Sequence, residues 1–427
     1  VLILIPHAAA ARLRTAGSSG RLSLRISPPD DLAVVSGISE GASGAIISVD
    51  PSAPRSRLLA SCDSRPTGYW YRATSELHAL WYHLRVRRGT SLTLDAFKDA
   101  VPSGFKAPGA GAYVAITHAP GVKDAFPESG LPDLLAWHVT RAGIQPLEAS
   151  VEPEATGIPQ LEGHWPVEEL RSARVMLIGA GSIGSATAHA LAGYGVGHLT
   201  LVDPDRLQWH NLVRHTSSRK YIGRTKVTAL AEELASLRPD TAVTPLALDV
   251  IEHADQIRAR LMDTDLVICA ADGVAARRVT GHLARRAGLT AVLACVLQDG
   301  ALGEILRLRP WPQHGCLTCR RHSLTEAGSL DPEPALDAGY GTGTPHRPMT
   351  AVGPDLHLVA HLAAKTAIAT LLEHAGHPAQ RLPGEHALLG LSRQPGWAPP
   401  FDLNRTAELR WLPATPPRSG CPTCEVP

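Results

Sequence analysis

The residues best equipped for chemistry in this 427-residue chain crowd between positions 179 and 272. Gly179, Gly181 and Gly184 form a G-x-G-x-x-G run. That spacing lets backbone approach a phosphate at a helix N-terminus, where free N–H groups and the helix field favour an anion. Asp203 follows Gly184 by 19 residues, where an acid can hold the ribose hydroxyls of a nucleotide. A nicotinamide or flavin dinucleotide is the ordinary inference from that pair. The following residues suit a more highly charged ligand. Asp205, then Asn211, Arg214 and His215, then Lys226 in Gly223-Arg-Thr-Lys226, add an amide and at least two fixed cations. Such cations beside a phosphate-binding turn suit a triphosphate. Taken alone, the segment also reads as a solvated basic loop. Asp272, in Cys269-Ala-Ala-Asp-Gly273, offers a carboxylate that could hold Mg²⁺ together with phosphate oxygens. The plainer reading makes it an N-cap for a helix opening at Gly273.

A second constellation is made of sulfur. Cys316-x-x-Cys319 is matched about a hundred residues later by Cys421-x-x-Cys424. Four thiolates make a closed tetrahedral zinc site with no open position, so the metal would be structural and would pin a tail otherwise prone to fray. A redox CxxC is the alternative. Of the other cysteines, Cys269 and Cys295 lie in apolar strand-like runs and read as core, while Cys62 has no assignment. None of the 20 histidines shows a metal-ligand spacing.

Elements must position these groups. Arg174–Ile178 reads as a buried strand leading into the glycine turn, and Ser185–Tyr194 as the helix leaving it. His198–Asp203 is a second strand. Thr225–Leu237 carries Val227, Leu230, Leu234 and Leu237 on one helical face before Pro239 stops it. Asp265–Ala270 and Ala291–Leu297 are further strands, Leu324–Met349 a long aperiodic loop, and Leu356–Leu372 a helix. The alternation predicts an α/β fold over residues 156–427: a Rossmann-like, mostly parallel sheet with helices on both faces. Glu148–Gln160 reads as a linker, which leaves residues 1–155 as a smaller N-terminal α+β domain. Aromatics are only 4%, so the core must be mostly Ala, Leu and Val.

Lys+Arg number 41 against 40 Asp+Glu, a balance that excludes a nucleic-acid or membrane-surface protein driven by bulk charge. No apolar run reaches the roughly 18–20 residues of a membrane span. Val1–Ile5 stops at Pro6 with no basic segment before it, so a signal peptide is not expected and a cytoplasmic location is. The first residue is not Met, which leaves the true start open upstream.

Together Gly179-Ala-Gly-Ser-Ile-Gly184, Val202-Asp203-Pro-Asp205, Asn211-Leu-Val-Arg214, Gly223-Arg-Thr-Lys226, Ala271-Asp272 and both CxxC pairs resemble the ThiF/MoeB family, the adenylation fold of ubiquitin-activating-type enzymes. The resemblance runs from about Arg174 to Cys424. It implies an adenylyltransferase that uses MgATP on the C-terminal carboxylate of a small ubiquitin-like or sulfur-carrier protein, or of a peptide. It implies that Asp203 holds the ribose, that Asn211, Arg214 and Lys226 contact phosphates, and that Asp272 organises Mg²⁺. It also implies a homodimer in which an Arg near the domain's start, here Arg171 or Arg174, reaches the partner's ATP. Members that form a thioester carry a Cys in the long crossover loop, and Leu324–Met349 has none. Adenylation without a loop thioester is therefore expected. In the first domain, Ala115-Ile-Thr-His118-Ala-Pro120 and Glu128-Ser-Gly-Leu-Pro-Asp133 faintly resemble the JAB/MPN isopeptidase pattern. That pattern needs two closely spaced His and this segment has one, which implies a metal-free scaffold or substrate clamp. Two other readings stand beside adenylation: an NAD(P)-dependent oxidoreductase and a non-catalytic nucleotide-binding scaffold.

Overall fold

The computed structural model describes residues 1–41, 43–49, 65–87, 89–154, 157–297, 300–310, 312–329, 351–377, 380–392 and 396–424. Cys62 and most of the segment 324–349 lie outside them. The chain divides into two compact units, Val1–Thr156 and Gly157–Pro427.

In the first unit β1 (Leu2–Ile5), β2 (Ser19–Ser27), β3 (Leu32–Ile38), β4 (Ile47–Ser48), β5 (Arg65–Arg72), β6 (Tyr113–His118), β7 (Leu134–Thr140) and β8 (Gly143–Val151) form one mixed sheet. Its order is β1-β8-β7-β6-β5-β2-β3-β4. Because β1 also pairs in parallel with β3, seven strands close into a ring and β4 hangs on β3. Closure removes the exposed edges that an open sheet would offer. Ile3, Ile5, Leu22, Leu24 and Trp70 fill one side, with Ala9, Ala10 and Leu13 of the helix His7–Thr15 packed among them. Glu148–Val151 belongs to β8, paired with β1, so the expected linker begins later than its composition suggests.

The second unit carries β9 (Arg174–Ile178), β10 (His198–Val202), β11 (Ala242–Leu246), β12 (Leu266–Cys269), β13 (Thr290–Leu297), β14 (Leu302–Leu308), β15 (His386–Gly390) and β16 (Leu409–Leu412). The order is β11-β10-β9-β12-β13-β14-β15-β16. The first five are parallel, and the last three add antiparallel pairs. Helices cover both faces, which is why β9, β12 and β13 read as unbroken apolar runs. On one face Leu191, Leu230, Leu234, Ala363, Ala364 and Ala367 meet Leu177 and Ile268. On the other, Ile257, Ala276 and Ala284 meet Met176, Val267 and Leu293. Alanine lets the helices Ser182–Tyr194 and Gly353–His374 approach closely enough for the Thr187 hydroxyl to donate to the Ala360 carbonyl at 3.3 Å.

Helix ends follow from sequence. The Thr225 hydroxyl accepts from Thr228 N and starts Lys226–Leu237. Gly195, at φ 99°, ends Ser182–Tyr194 by donating its N–H back to Leu191 and Ala192.

Candidate functional site

The glycine turn leaves β9 at the sheet's C-terminal edge, beside β10 and β12. Its three glycines have different physical reasons. Gly179 sits at φ +91°, and a Cβ there would lie 2.4 Å from Ala271 N. A Cβ on Gly184 would lie 1.8 Å from the Gly179 carbonyl oxygen. Both therefore serve the close packing of strand, turn and helix. A Cβ on Gly181 would meet nothing within 4 Å, because Gly181 opens onto a cleft. The helix begins at Ser182, three residues earlier than its apolar spacing suggests, so Gly184 lies inside its first turn.

That cleft is lined by Gly181, Ser182, Asn211, Arg214, His215, Lys226 and Asp272, with Ile183, Val296 and Leu356 among its apolar walls. It holds about 520 Å³ of empty space, open solvent at its mouth included, a size usual for small-molecule sites. Five residues singled out by sequence thus converge from four separate segments. The other four stand behind or beside the cleft. Gly179 and Gly184 pack as described. Asp203, only 7% exposed, accepts from Ala180 N at 2.7 Å and from Asp205 N at 2.9 Å. Asp205 pairs with Lys226, Oδ2 to Nζ, at 2.7 Å.

Lys226 opens its helix and is buried, with Nζ 3.9 Å from Asp203 Oδ1 as well. Burial presses its pKa down, but the Asp203 and Asp205 carboxylates outweigh that and hold it above the ordinary value. Asp272 adds to the same field. Burial conversely raises the Asp203 pKa, against the pull of Lys226 and two backbone N–H groups. Asp272 follows β12, and Gly273 rather than Asp272 is the N-cap residue of the helix Val274–Arg286. Asn211 Oδ1 accepts from Gln208 N at 2.9 Å and closes a one-turn capping box that presents the loop carrying Arg214. Arg171 pairs with Glu168 at 2.7 Å on the surface, and Arg174 opens β9.

His215, noted in the sequence only as a neighbour of Arg214, also lines the cleft. It is 7% exposed, and burial pushes its pKa down to about 4. The signal available was its adjacency to Arg214, which made it look like one more member of a basic run.

Cys316, Cys319, Cys421 and Cys424 are all buried, and their sulfurs lie within 4.8 Å of one another. Three of the separations are 3.6, 3.6 and 3.8 Å. Bonds of about 2.3 Å to a tetrahedral zinc would place sulfurs about 3.8 Å apart, so the donor set fits that ion. Arg418 N donates to Cys319 Sγ at 3.3 Å, as the second shell of such a site would. Gly315 N donates to Thr415 O at 2.7 Å, and a Cβ at Gly315 would lie 2.6 Å from Pro416 O, so tail and loop are in direct backbone contact.

In the first unit His118 Nδ1 accepts from the Arg72 guanidinium, and Nε2 lies 3.7 Å from Asp133. Both neighbours of the His118 ring are thus charged side chains. Among the described residues the four cysteines are the metal-type cluster of three or more ligands.

Fold and clefts together define a Rossmann-like α/β protein with a glycine-rich turn and a four-cysteine cluster. The model of the ThiF family matches residues 156–391, more than half of the chain, and the chain belongs to that family. It is 31% identical over 166 residues to the sulfur carrier protein ThiS adenylyltransferase of Bacillus subtilis, covering 38% of this chain and 48% of that one. It is 35% identical over 111 residues to the molybdopterin-synthase adenylyltransferase of Escherichia coli, covering 26% and 44%. The chain spans less than half the length of these curated relatives. A crystal structure of E. coli MccB with ATP aligns over 60% of this chain and 68% of its own, at 19% identity and a TM-score of 0.45. No described helix is long and apolar enough to cross a membrane.

Proposed function

We propose that the chain is an ATP-dependent adenylyltransferase that activates the C-terminal carboxylate of a small ubiquitin-like or sulfur-carrier protein, or of a peptide. The observation that carries this reading is the convergence of Gly181, Asn211, Arg214, Lys226 and Asp272 on one cleft. In the reaction a carboxylate oxygen attacks the α-phosphorus of ATP, the bond to the β-phosphate oxygen breaks, and pyrophosphate leaves with an acyl adenylate remaining. Two anions must meet, so catalysis rests on positioned positive charge rather than on a base. Arg214 and Lys226 supply that charge, Asp272 would hold Mg²⁺ against the phosphates, and Asn211 would donate to a phosphate oxygen. Asp203 and Asp205, behind and beside the cleft, would serve the ribose side, and the glycine turn would meet phosphate. Ile183, Val296 and Leu356 give apolar walls suited to a base.

The family membership of the chain and the names of its relatives support this reading. Zinc in the four-cysteine cluster is proposed as purely structural. A homodimer, a cytoplasmic location and a scaffold or clamp role for residues 1–155 complete the proposal. The acyl adenylate would pass to a sulfur donor, an amine or a partner enzyme, since the crossover segment offers no thiol of its own.

The test is incubation with MgATP and an extract of small native proteins, followed by mass spectrometry for AMP on a C-terminus. An adduct that disappears with Asp272→Ala is expected. An adduct of equal yield in that variant would contradict the assigned role of Asp272. Absence of both adduct and ATP binding would return the site to the dinucleotide reading.

A further inference from the structure

Ala180, at the centre of the glycine turn, is held through both of its flanking peptides. Its N–H donates to Asp203 Oδ2 at 2.7 Å, and its carbonyl lies 2.7 Å from His215 Nε2. Ala180 is fully buried, and Asp203 and His215 are each 7% exposed. The His215 tautomer follows from its other neighbour. Ser217 N, which can only donate, lies 3.0 Å from Nδ1. Nδ1 is therefore the acceptor, and the proton sits on Nε2, where it is donated to Ala180 O. The His215 ring is thus a neutral donor, with both nitrogens used.

The consequence lies one bond further on. The Ala180 carbonyl and the Gly181 N–H belong to the same planar trans peptide, so they point in opposite directions. Drawing the carbonyl toward His215 turns the Gly181 N–H away from it. Among the described residues no protein acceptor takes that N–H, and Gly181 lines the cleft. The N–H groups of Ser182, Ile183 and Gly184, at the helix start, have no intrahelical partner either.

We propose that His215 is a positioning residue: with Asp203 anchoring the preceding peptide, it fixes the Ala180–Gly181 peptide so that the Gly181 N–H is preset for a phosphate oxygen of the nucleotide. The inference rests on the nucleotide reading above. A preset donor costs no reorganisation when the anion arrives. Without His215 the Ala180 carbonyl becomes a buried acceptor with no donor, and the peptide can turn to relieve it.

The test is calorimetric titration of the full chain with MgATP, for wild type, His215→Leu and His215→Gln, with thermal unfolding of each without nucleotide. His215→Leu should weaken MgATP at least about tenfold, the scale of one lost charge-assisted hydrogen bond. His215→Gln keeps an N–H donor of similar reach and should stay within about threefold of wild type. A folded His215→Leu that binds as wild type does, or a folded His215→Gln as weak as His215→Leu, would overturn the proposal. A wild type that fails to bind MgATP would overturn the nucleotide reading itself. If His215→Leu does not fold, nitrogen-15 NMR of wild type decides. The proposal requires protonated Nε2, bare Nδ1 and a shift of the Gly181 amide on adding MgATP. A proton on Nδ1, or an unmoved Gly181 amide in the bound state, would refute it.

Discussion

Lys226 illustrates what residue types at a given spacing can and cannot reveal. Its place 23 residues after Asp203 marked it as a cation near a phosphate turn. The sequence did not show that the same ammonium also neutralises two carboxylates, at 2.7 and 3.9 Å. Lys226→Met should therefore do two things. Adenylation turnover should fall by about 100-fold or more, the scale of removing one positioned transition-state charge. Thermal stability should fall as well, because Asp203 stays buried without its cation. Lys226 has a raised folded pKa, so its contribution is full below the ordinary lysine value and is lost as pH rises through the folded one. Between pH 6 and 9 the Lys226 charge should therefore produce no change in rate. The glycines were legible as a set, yet spacing could not separate their reasons. Gly181→Ala should fold normally and bind MgATP poorly, whereas Gly184→Ala should unfold at a lower temperature because its Cβ would strike the Gly179 carbonyl. Thermal melts beside titrations of the two variants check this. Asp203 was legible by position, but its burial behind the turn was not, since spacing along a chain does not say which atoms lie between an acid and solvent.

At the scale of elements, four of the five parallel strands, β9, β10, β12 and β13, were legible because buried strands read as apolar runs, whereas the edge strand β11, largely exposed, left no such run. The antiparallel strands β14–β16 were not legible either. β14, LGEILRL, interrupts its apolar pattern with Glu304 and Arg307, which look like solvent residues. Both are buried and paired. Glu304 takes a bidentate bond from Arg321 at 2.7 and 2.5 Å and lies 2.8 Å from His386 Nε2, while Arg307 bonds Glu373 and Glu385. Burial would raise the Glu304 pKa, but Arg321 and His386 hold it well below the ordinary value. Glu304→Gln removes the buried carboxylate charge that Arg321 and His386 face and should cost about 3–5 kcal/mol, read as a lowered denaturant midpoint. The cysteine cluster was legible because CxxC pairs are rare and their ligand geometry is fixed. The contact it draws between the tail and Gly315 needed coordinates. A strong chelator, or Cys421→Ser, should lower the unfolding temperature of the second unit and expose residues near 413–424 to protease, with the first unit's transition unmoved. A metal analysis returning no zinc and no effect of chelator would remove the structural-metal assignment.

For the molecule as a whole, the division into two units governs what a bulk measurement reports. Burial pushes His78 and His118 in the first unit, and His215 in the second, down to about 4. Each binds a proton more readily when unfolded, near the ordinary value of about 6.5. Their contribution to stability is therefore complete above about pH 6.5 and is lost as pH falls toward about 4. Denaturant midpoints of both units should fall across that window, with His78→Gln flattening the slope of the first unit alone. The first unit's closed ring was hidden from sequence, because pairing of β1 with β3 and β8 joins residues far apart in the chain. The near-equal charge counts gave bulk charge no part in the functional reading, which rests instead on charged groups gathered at one cleft.

Equilibrium binding of MgATP against NAD⁺ and NADP⁺ by the purified chain decides most directly whether the cleft is a triphosphate site. Selective binding of MgATP is expected, with affinity strongly reduced by Arg214→Ala and Lys226→Met. Tight binding of NAD⁺ or NADP⁺, with no response to MgATP, would contradict it.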